Sequence, residues 1–435
     1  MSTHDQVIEH HHKRRWIVVF SAALFFFYEF IQMHMFNAIS GSLMADFHVN
    51  AGQLGNLSAM YLYADVVFLL PAGIILDRVS TRKVVLAALA LCILGTAGFA
   101  ISTQYWFAAA CHFLAGIGNA FCFLSCIRLA SRWFPTRMLA FVIGLIVTLA
   151  MLGGLAAETP LTILTHHFSW RNVVLLNALF GVVVYLIIFI NVRDFPKGYE
   201  QQYAKQQHQL HDLGFLASIK LALGNIQNWL AGLYTAFLNL PLMLLCALWG
   251  NMYLEQVHHL TDIQSSNVVS MIFVGTIIGG PVIGAWSDKI SLRKFPMVIG
   301  AILSIFAILV LTEFAYLGYH ALLLLFFFIG FCTSAQVLAY PLITESNNRI
   351  VSSTATGLAS VLIMGAPALF QPIFGMIMDH YWTGKILNNV HVYTNMAFEK
   401  AMLIFPATFV LAFLAACFVR ETNCREYNSK HQSKP

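Results

Sequence analysis

Gly73-Ile74-Ile75-Leu76-Asp77-Arg78-Val79-Ser80-Thr81-Arg82-Lys83 is matched by Gly284-Ala285-Trp286-Ser287-Asp288-Lys289-Ile290-Ser291-Leu292-Arg293-Lys294, and both read G-x3-D-[RK]-x-S-x-R-K. Each copy closes a long apolar run at the same offset. A single basic loop of this kind arises easily by chance, whereas two copies, one in each half of the chain, indicate an internal duplication. A weaker echo pairs Gly144, Leu145 and Met151 with Gly357, Leu358 and Met364.

The runs that precede these loops recur along the whole chain. Of 435 residues, 59% are hydrophobic and 10% charged, and the mean hydropathy is +0.74; soluble chains carry roughly 25% charged residues. Each run is about as long as the roughly 20 residues that an α-helix needs to cross hydrocarbon. The short alternating segments of a β-barrel are absent. Hydropathy predicts spans at 16–41, 53–76, 82–102, 106–130, 138–160 and 171–192, then at 227–253, 265–286, 295–314, 320–342, 354–379 and 398–420. The expected fold class is an all-α membrane protein of about twelve transmembrane helices in two pseudo-symmetric six-helix bundles, 16–192 and 227–420. An arm (1–15), a polar linker (193–226) and a tail (421–435) complete the chain.

Charge sets the expected orientation. With both termini in the cytoplasm, twenty of the 24 Lys and Arg fall on that side, and only Arg171, Lys385 and Lys400 fall outside, with Arg128 inside the fourth span. This is the positive-inside bias, and it predicts a multi-pass membrane protein with both termini on the cytoplasmic side. The arm's His10, His11, His12, Lys13, Arg14 and Arg15 read as a basic flank that fixes orientation rather than as a metal site. The first apolar run is too long for a cleaved leader and lacks a small-residue cleavage site, so it is expected to be retained. Cys92, Cys111, Cys122, Cys126, Cys246 and Cys332 lie in apolar stretches without CxxC spacing and read as packing residues. The net charge of +5 follows from topology, and no nucleic-acid partner is suggested. Neither a catalytic arrangement nor a phosphate-cradling Walker sequence is present, so the expectation is a non-enzyme with no cofactor and no metal, driven by an ion gradient.

The doubled loop closely resembles the signature of the major facilitator superfamily, and Trp133, Phe134, Pro135 and Arg137, with Trp170 and Arg171, extend the resemblance over nearly the whole chain. It implies two bundles related by an axis along the membrane normal. It also implies a gating role for Gly73, Asp77, Arg78 and Arg82 in one half and for Gly284, Asp288, Arg293 and Glu345 in the other. The glycines are expected to allow close helix approach, and the charges to lock one state. Tyr61, Leu62, Tyr63, Ala64, Asp65 and Val66, the following Pro71, Ala72 and Gly73, and the Ser80-Thr81-Arg82 loop are similar to the phagosomal-transporter branch of intracellular gammaproteobacteria. That branch implies uptake of amino acids or nucleosides, with related carriers linked to siderophores. Two departures stand out. His112 occupies a position where the superfamily usually has arginine, and Gly153 and Gly154 are followed by Glu158, Thr159 and Pro160, which weakens a drug-efflux reading.

Ionisable side chains at membrane depth are expensive, so each is a functional candidate. Glu29 and Asp65 fall near the middle of the first and second spans, the depth at which such carriers place substrate and coupling-ion sites. A carboxyl removed from water holds its proton more tightly and releases it on rehydration, so Glu29 is the first candidate for proton coupling, then Asp65, with His34 and His112 as relays. Each of these also has a static reading as an interhelical hydrogen bond. Candidate substrate contacts are Tyr28 and Gln32 beside Glu29, then Tyr61, Asn119 and Arg128. In the second half they are Tyr234, Asn239, Gln336, Tyr340 and Gln371. Each of these is more often packing or interhelical glue, and for Arg128 the alternative is a structural pairing with Asp77 or another motif carboxylate. The resulting expectation is a monomeric, proton-coupled importer of a small polar metabolite, an amino acid favoured. Transport of a siderophore, nucleoside or drug, including export, and a non-transporting ligand sensor stay open.

Overall fold

The computed structural model describes residues 12–196, 215–314, 317–387 and 390–425. The start of the arm, most of the linker and the end of the tail lie outside them. Nearly all that is described is helix, because the sequence offers long apolar runs whose backbone groups must be satisfied within the segment itself.

The first compact unit comprises Met1–Phe47 and Leu57–Asp212. It contains α1 (His12–Phe47), most of α2 (Ala51–Arg78), α3 (Thr81–Ala100), α4 (Tyr105–Trp133), α5 (Thr136–Ala157), the short α6 (Thr159–His167) and α7 (Trp170–Asn191). Ser80 caps α3 by accepting from Lys83 N, and Ser169 caps α7 by accepting from Asn172 N; each satisfies an amide that the first turn leaves unpaired. The fifth span is broken at Glu158, whose φ of −88° and ψ of −109° separate α5 from α6. Within the unit α1 packs against α4, α5 and α7, and α3 against α4 and α7.

The second unit comprises His48–Asn56 and Leu213–Pro435. Its elements are α8 (Phe215–Gly224), α9 (Ile226–Leu238), a π-helical segment (Pro241–Trp249), α10 (Gly250–Val257), α11 (Asp262–Ile290), α12 (Lys294–Glu313), α13 (Tyr319–Thr333), a 3-10 turn (Ser334–Leu338), α14 (Ala339–Ser346), α15 (Arg349–His380), α16 (Asn395–Met402) and α17 (Ile404–Phe418). A two-residue hairpin, β1 (Ile386–Leu387) with β2 (Val390–His391), follows α15. A capping box of Thr261 and Gln264 opens α11, and Ser291 closes it with φ of 53°. Asp379, near the end of α15, accepts from the amides of Ala51 at 3.1 Å and Gly52 at 2.7 Å and from the Tyr393 hydroxyl at 2.6 Å. These bonds cap the start of α2 within this unit.

Eleven helical stretches among the described residues are long and apolar enough to cross a membrane, and α2, 28 residues long, stands beside them. Large apolar side chains face outward, among them Leu179, Val183, Leu186 and Ile190 on α7, as lipid as solvent requires.

The duplication is visible in the packing. A Cβ on Gly116 of α4 would lie 2.2 Å from the Tyr61 carbonyl oxygen of α2, and one on Gly330 of α13 would lie 2.1 Å from that of Ile272 on α11. Tyr61 and Ile272 are separated in sequence by 211 residues, as are Gly73 and Gly284 of the motif loops. Each unit therefore repeats one backbone-to-backbone contact that only glycine permits. By contrast, a Cβ on Gly73 would meet only Leu124 Cδ2 at 4.0 Å, and one on Gly284 nothing within 4 Å. The close approach expected at the motif glycines is found instead at Gly116 and Gly330, half a helix away. Gly116→Ala and Gly330→Ala are expected to lower stability by about 1–3 kcal/mol through overpacking. Gly144→Ala, where a Cβ meets nothing within 4 Å, leaves it unchanged. Thermal unfolding of the detergent-purified variants checks this, and a glycine at either crossing that tolerated alanine as well as Gly144 does would refute it.

Candidate functional site

Glu29 on α1 and Asp65 on α2 are 0% and 2% exposed. The contact at Gly116 holds Tyr61, one turn before Asp65, against α4. From there its hydroxyl donates to Glu29 Oε2 and lies 3.4 Å from the Glu29 carbonyl oxygen. Asn119 of α4 reaches Asp65, and Cys92 of α3 reaches Glu29. Glu29 Oε1 and Asp65 Oδ1 have no hydrogen-bond partner, and among the described residues neither carboxyl is paired with Lys or Arg. Burying a lone carboxylate costs several kcal/mol, whereas burying the acid costs far less.

The other candidates of the first unit surround this pair. Tyr28 and Gln32 are buried, and the Tyr28 hydroxyl reaches Thr96 and Gln32. His112 sits among the rings of Phe36, Tyr61 and Phe99 at 4.4, 5.3 and 5.5 Å. His34 Nδ1 bonds to the Phe30 carbonyl oxygen one turn earlier, at 2.8 Å. Arg128 is half-buried on α4. Sequence reasoning noted Glu158 only as a departure from a motif. The structure shows it fully buried at the break between α5 and α6, with Oε2 accepting from Asn37 at 2.9 Å and Oε1 without a partner. Its place in an apolar run was the available signal.

In the second unit, polar side chains are used by the backbone. The Tyr234 hydroxyl donates to the Met297 carbonyl oxygen at 2.9 Å and Gln371 Nε2 to that of Met243 at 2.8 Å. Asn239 is buried at the end of α9. Gln336 lies in the 3-10 turn, where its carbonyl oxygen accepts from Thr235 at 3.1 Å, and Tyr340 is half-buried on α14. No hydrogen bond joins these five residues to one another among the described residues.

The motif loops form charge clusters. Arg293 donates to Asp288 Oδ1 at 2.6 Å and to Glu345 Oε1 at 2.9 Å. Burial works against its charge, but hydrogen bonds to Glu345 and then Asp288 outweigh it and raise the guanidinium above its ordinary value. Glu421, past α17, accepts from the amides of Arg293 and Lys294, both at 2.8 Å. The first unit repeats this. Asp194, past α7, accepts from the Arg82 amide at 2.9 Å and from the Ser80 hydroxyl. Arg132 lies 3.6 Å from it. Arg78 is exposed, and the side chains of Asp77 and Arg137 lie outside the described residues. Asp194 and Glu421 were not singled out in the sequence because they fall in polar segments beyond each sixth span.

A duplicated bundle of membrane-crossing helices with isolated acids inside one half defines a polytopic membrane carrier. The chain belongs to the Major Facilitator Superfamily, whose sequence model matches residues 17–331 and 242–434. It is 24% identical over 408 residues to the membrane sensor protein UhpC of Salmonella typhimurium, covering 89% of each chain. A crystal structure of a D-xylose–proton symporter superposes with a TM-score of 0.75 at 15% identity, over 95% of this chain and 100% of that one. For the nucleoside transporter NupG the TM-score is 0.70 at 13% identity, over 92% and 99%.

The Arg293 cluster gives a graded expectation. Glu345 is 12% exposed and Asp288 66%. Glu345→Gln should cost about 2–4 kcal/mol by leaving a buried guanidinium under-compensated, and Asp288→Asn less than about 1 kcal/mol. Unfolding midpoints of the two variants measure the difference, and equal losses would contradict it.

Proposed function

We propose that the protein is a secondary transporter that couples proton movement to uptake of a small polar metabolite by alternating access, with Glu29 as the principal proton carrier and Asp65 as its neighbour. The observation that carries this reading is the pair of buried carboxyls without a cation, one oxygen of each unpartnered, fixed by Tyr61 and Asn119. The favoured substrate is an amino acid. The finer resemblance to the phagosomal-transporter branch, carried by Tyr61 to Gly73, supports it. So does the scarcity of buried cations: Arg15, Arg132 and Arg293 are the buried ones among the described residues, and Arg293 is held by carboxylates. A phosphate ester calls for forked arginines in its site, whereas a zwitterion does not. The charge bias of the loops supports an inner-membrane protein with both termini in the cytoplasm.

A ligand-sensing role is the second reading, favoured by the 24% identity to a protein named as a membrane sensor. Binding that saturates with no flux into vesicles would select it over transport.

A thermal-shift screen of the purified protein against amino acids and nucleosides identifies the ligand, since binding to the folded state raises apparent stability. Proteoliposomes then test coupling. One pH unit is worth about 1.4 kcal/mol per proton, so an acid exterior should drive about tenfold accumulation at one proton per substrate. Glu29→Gln should abolish accumulation while retaining exchange of substrate across the membrane. Uptake indifferent to the gradient removes proton coupling, and full accumulation by Glu29→Gln removes the residue's role.

A further inference from the structure

A cavity of about 790 Å³ opens on the face of the first unit that carries the motif loop. Its walls hold four cations, Arg14, Arg82, Lys83 and Arg193, and one carboxylate, Asp194. That carboxylate is already engaged by the Arg82 amide, the Ser80 hydroxyl and Arg132. Among the described residues none of the four cations has a side-chain carboxylate partner. Arg82 turns Nη2 to the Phe189 carbonyl oxygen at 2.7 Å, and Arg193 turns Nη1 to that of Val192 at 3.0 Å, while Arg82 Nε is buried without a partner. Four like charges beside one carboxylate that is already engaged repel one another, so the arrangement is poised for an anion.

Apart from Ser80, the rest of the lining is carried by large apolar or aromatic side chains: Leu86, Trp133, Phe189 and Phe195. The Arg82 guanidinium lies 5.1 Å from the centre of the Phe189 ring. The Trp133 indole donates to the Arg193 carbonyl oxygen at 3.0 Å and fixes the strand of chain that bears two of the charged groups. Beside Arg193, the last turns of α7 show Leu186, Phe189 and Ile190 at 52, 51 and 66% exposure, a surface suited to acyl chains.

The structure assigns this cavity as a binding site for the phosphate headgroup of an anionic phospholipid, with the acyl chains laid along α7. Forked guanidinium groups match phosphate oxygens, and basic pockets between membrane helices take anionic headgroups. A soluble phosphate ester shares the headgroup chemistry but leaves the apolar lining and the α7 surface unused.

Arg14 and Lys83 are exposed, so Arg14→Gln with Lys83→Gln leaves the fold intact, and Lys385→Gln, outside the cavity, is the control. The full-length protein in neutral detergent is titrated with short-chain phosphatidylglycerol, with matched phosphatidylcholine and with glycerol phosphate. Native mass spectrometry reads bound lipid, and the melting temperature reads stabilisation. Phosphatidylglycerol should bind at least about tenfold more tightly than phosphatidylcholine. The double variant should lose that preference, the control should keep it, and glycerol phosphate should not compete at equal concentration. An undiminished preference in the double variant overturns the site, and glycerol phosphate binding as tightly as the lipid overturns the lipid as its occupant.

Discussion

In hydrocarbon, helices gain little from hiding apolar faces from a solvent that is itself apolar, so they associate through close packing and interhelical hydrogen bonds. In this protein that constraint is met at crossings where a glycine in one helix lets the backbone of another come into contact, among them the equivalent pair Gly116 on Tyr61 and Gly330 on Ile272. Side-chain placement in the first unit follows from the first crossing. With α2 held flush against α4, Tyr61 has its hydroxyl on Glu29, and Asn119 stands beside Asp65. Loosening that crossing would free the Tyr61 hydroxyl that donates to the Glu29 carboxyl.

The two units use their polar residues differently. Every buried carboxylic side chain among the described residues, Glu29, Asp65 and Glu158, lies in the first unit. In the second, the buried Tyr234 and Gln371 spend their donors on backbone carbonyls. Some of those carbonyls lie near irregular helix. Met243 falls within the π-helical segment Pro241–Trp249, where wider hydrogen-bonded turns leave carbonyl groups less well shared. At the loop end the halves converge again. Asp194 and Glu421 each accept from the backbone amide of the motif arginine, Arg82 and Arg293, so each sixth span returns a carboxylate to the start of its third.

The spans were legible because composition alone separates hydrocarbon-soluble runs from polar loops, and the duplication was legible because the loop motif is charged and short. Glu29 and Asp65 stood out as acids in apolar runs, and Glu345 beside Arg293 was anticipated from the motif. The close crossings were not, since a glycine's neighbour in space leaves no trace in its own sequence; attention went to Gly73 and Gly284, whose Cβ positions are open. Glu158 was noted only as a departure from a motif, at the end of the expected span 138–160, whereas helix resumes directly after it and runs to His167. The π-helical and 3-10 segments have no compositional mark. Tyr234 and Gln371 were read as substrate contacts or interhelical glue, since side-chain type cannot reveal that a donor of each meets a backbone carbonyl.

The repeated crossing also records how two copies of one ancestral unit drifted apart. Ile272 stands where Tyr61 stands, and Thr276, 211 residues beyond Asp65, returns its hydroxyl to its own helix at Ile272. The scaffold is present twice, and among the described residues the buried acids stand in one copy. A substitution at the second crossing therefore disturbs backbone packing alone, whereas one at the first also displaces the hydroxyl that meets a buried carboxyl.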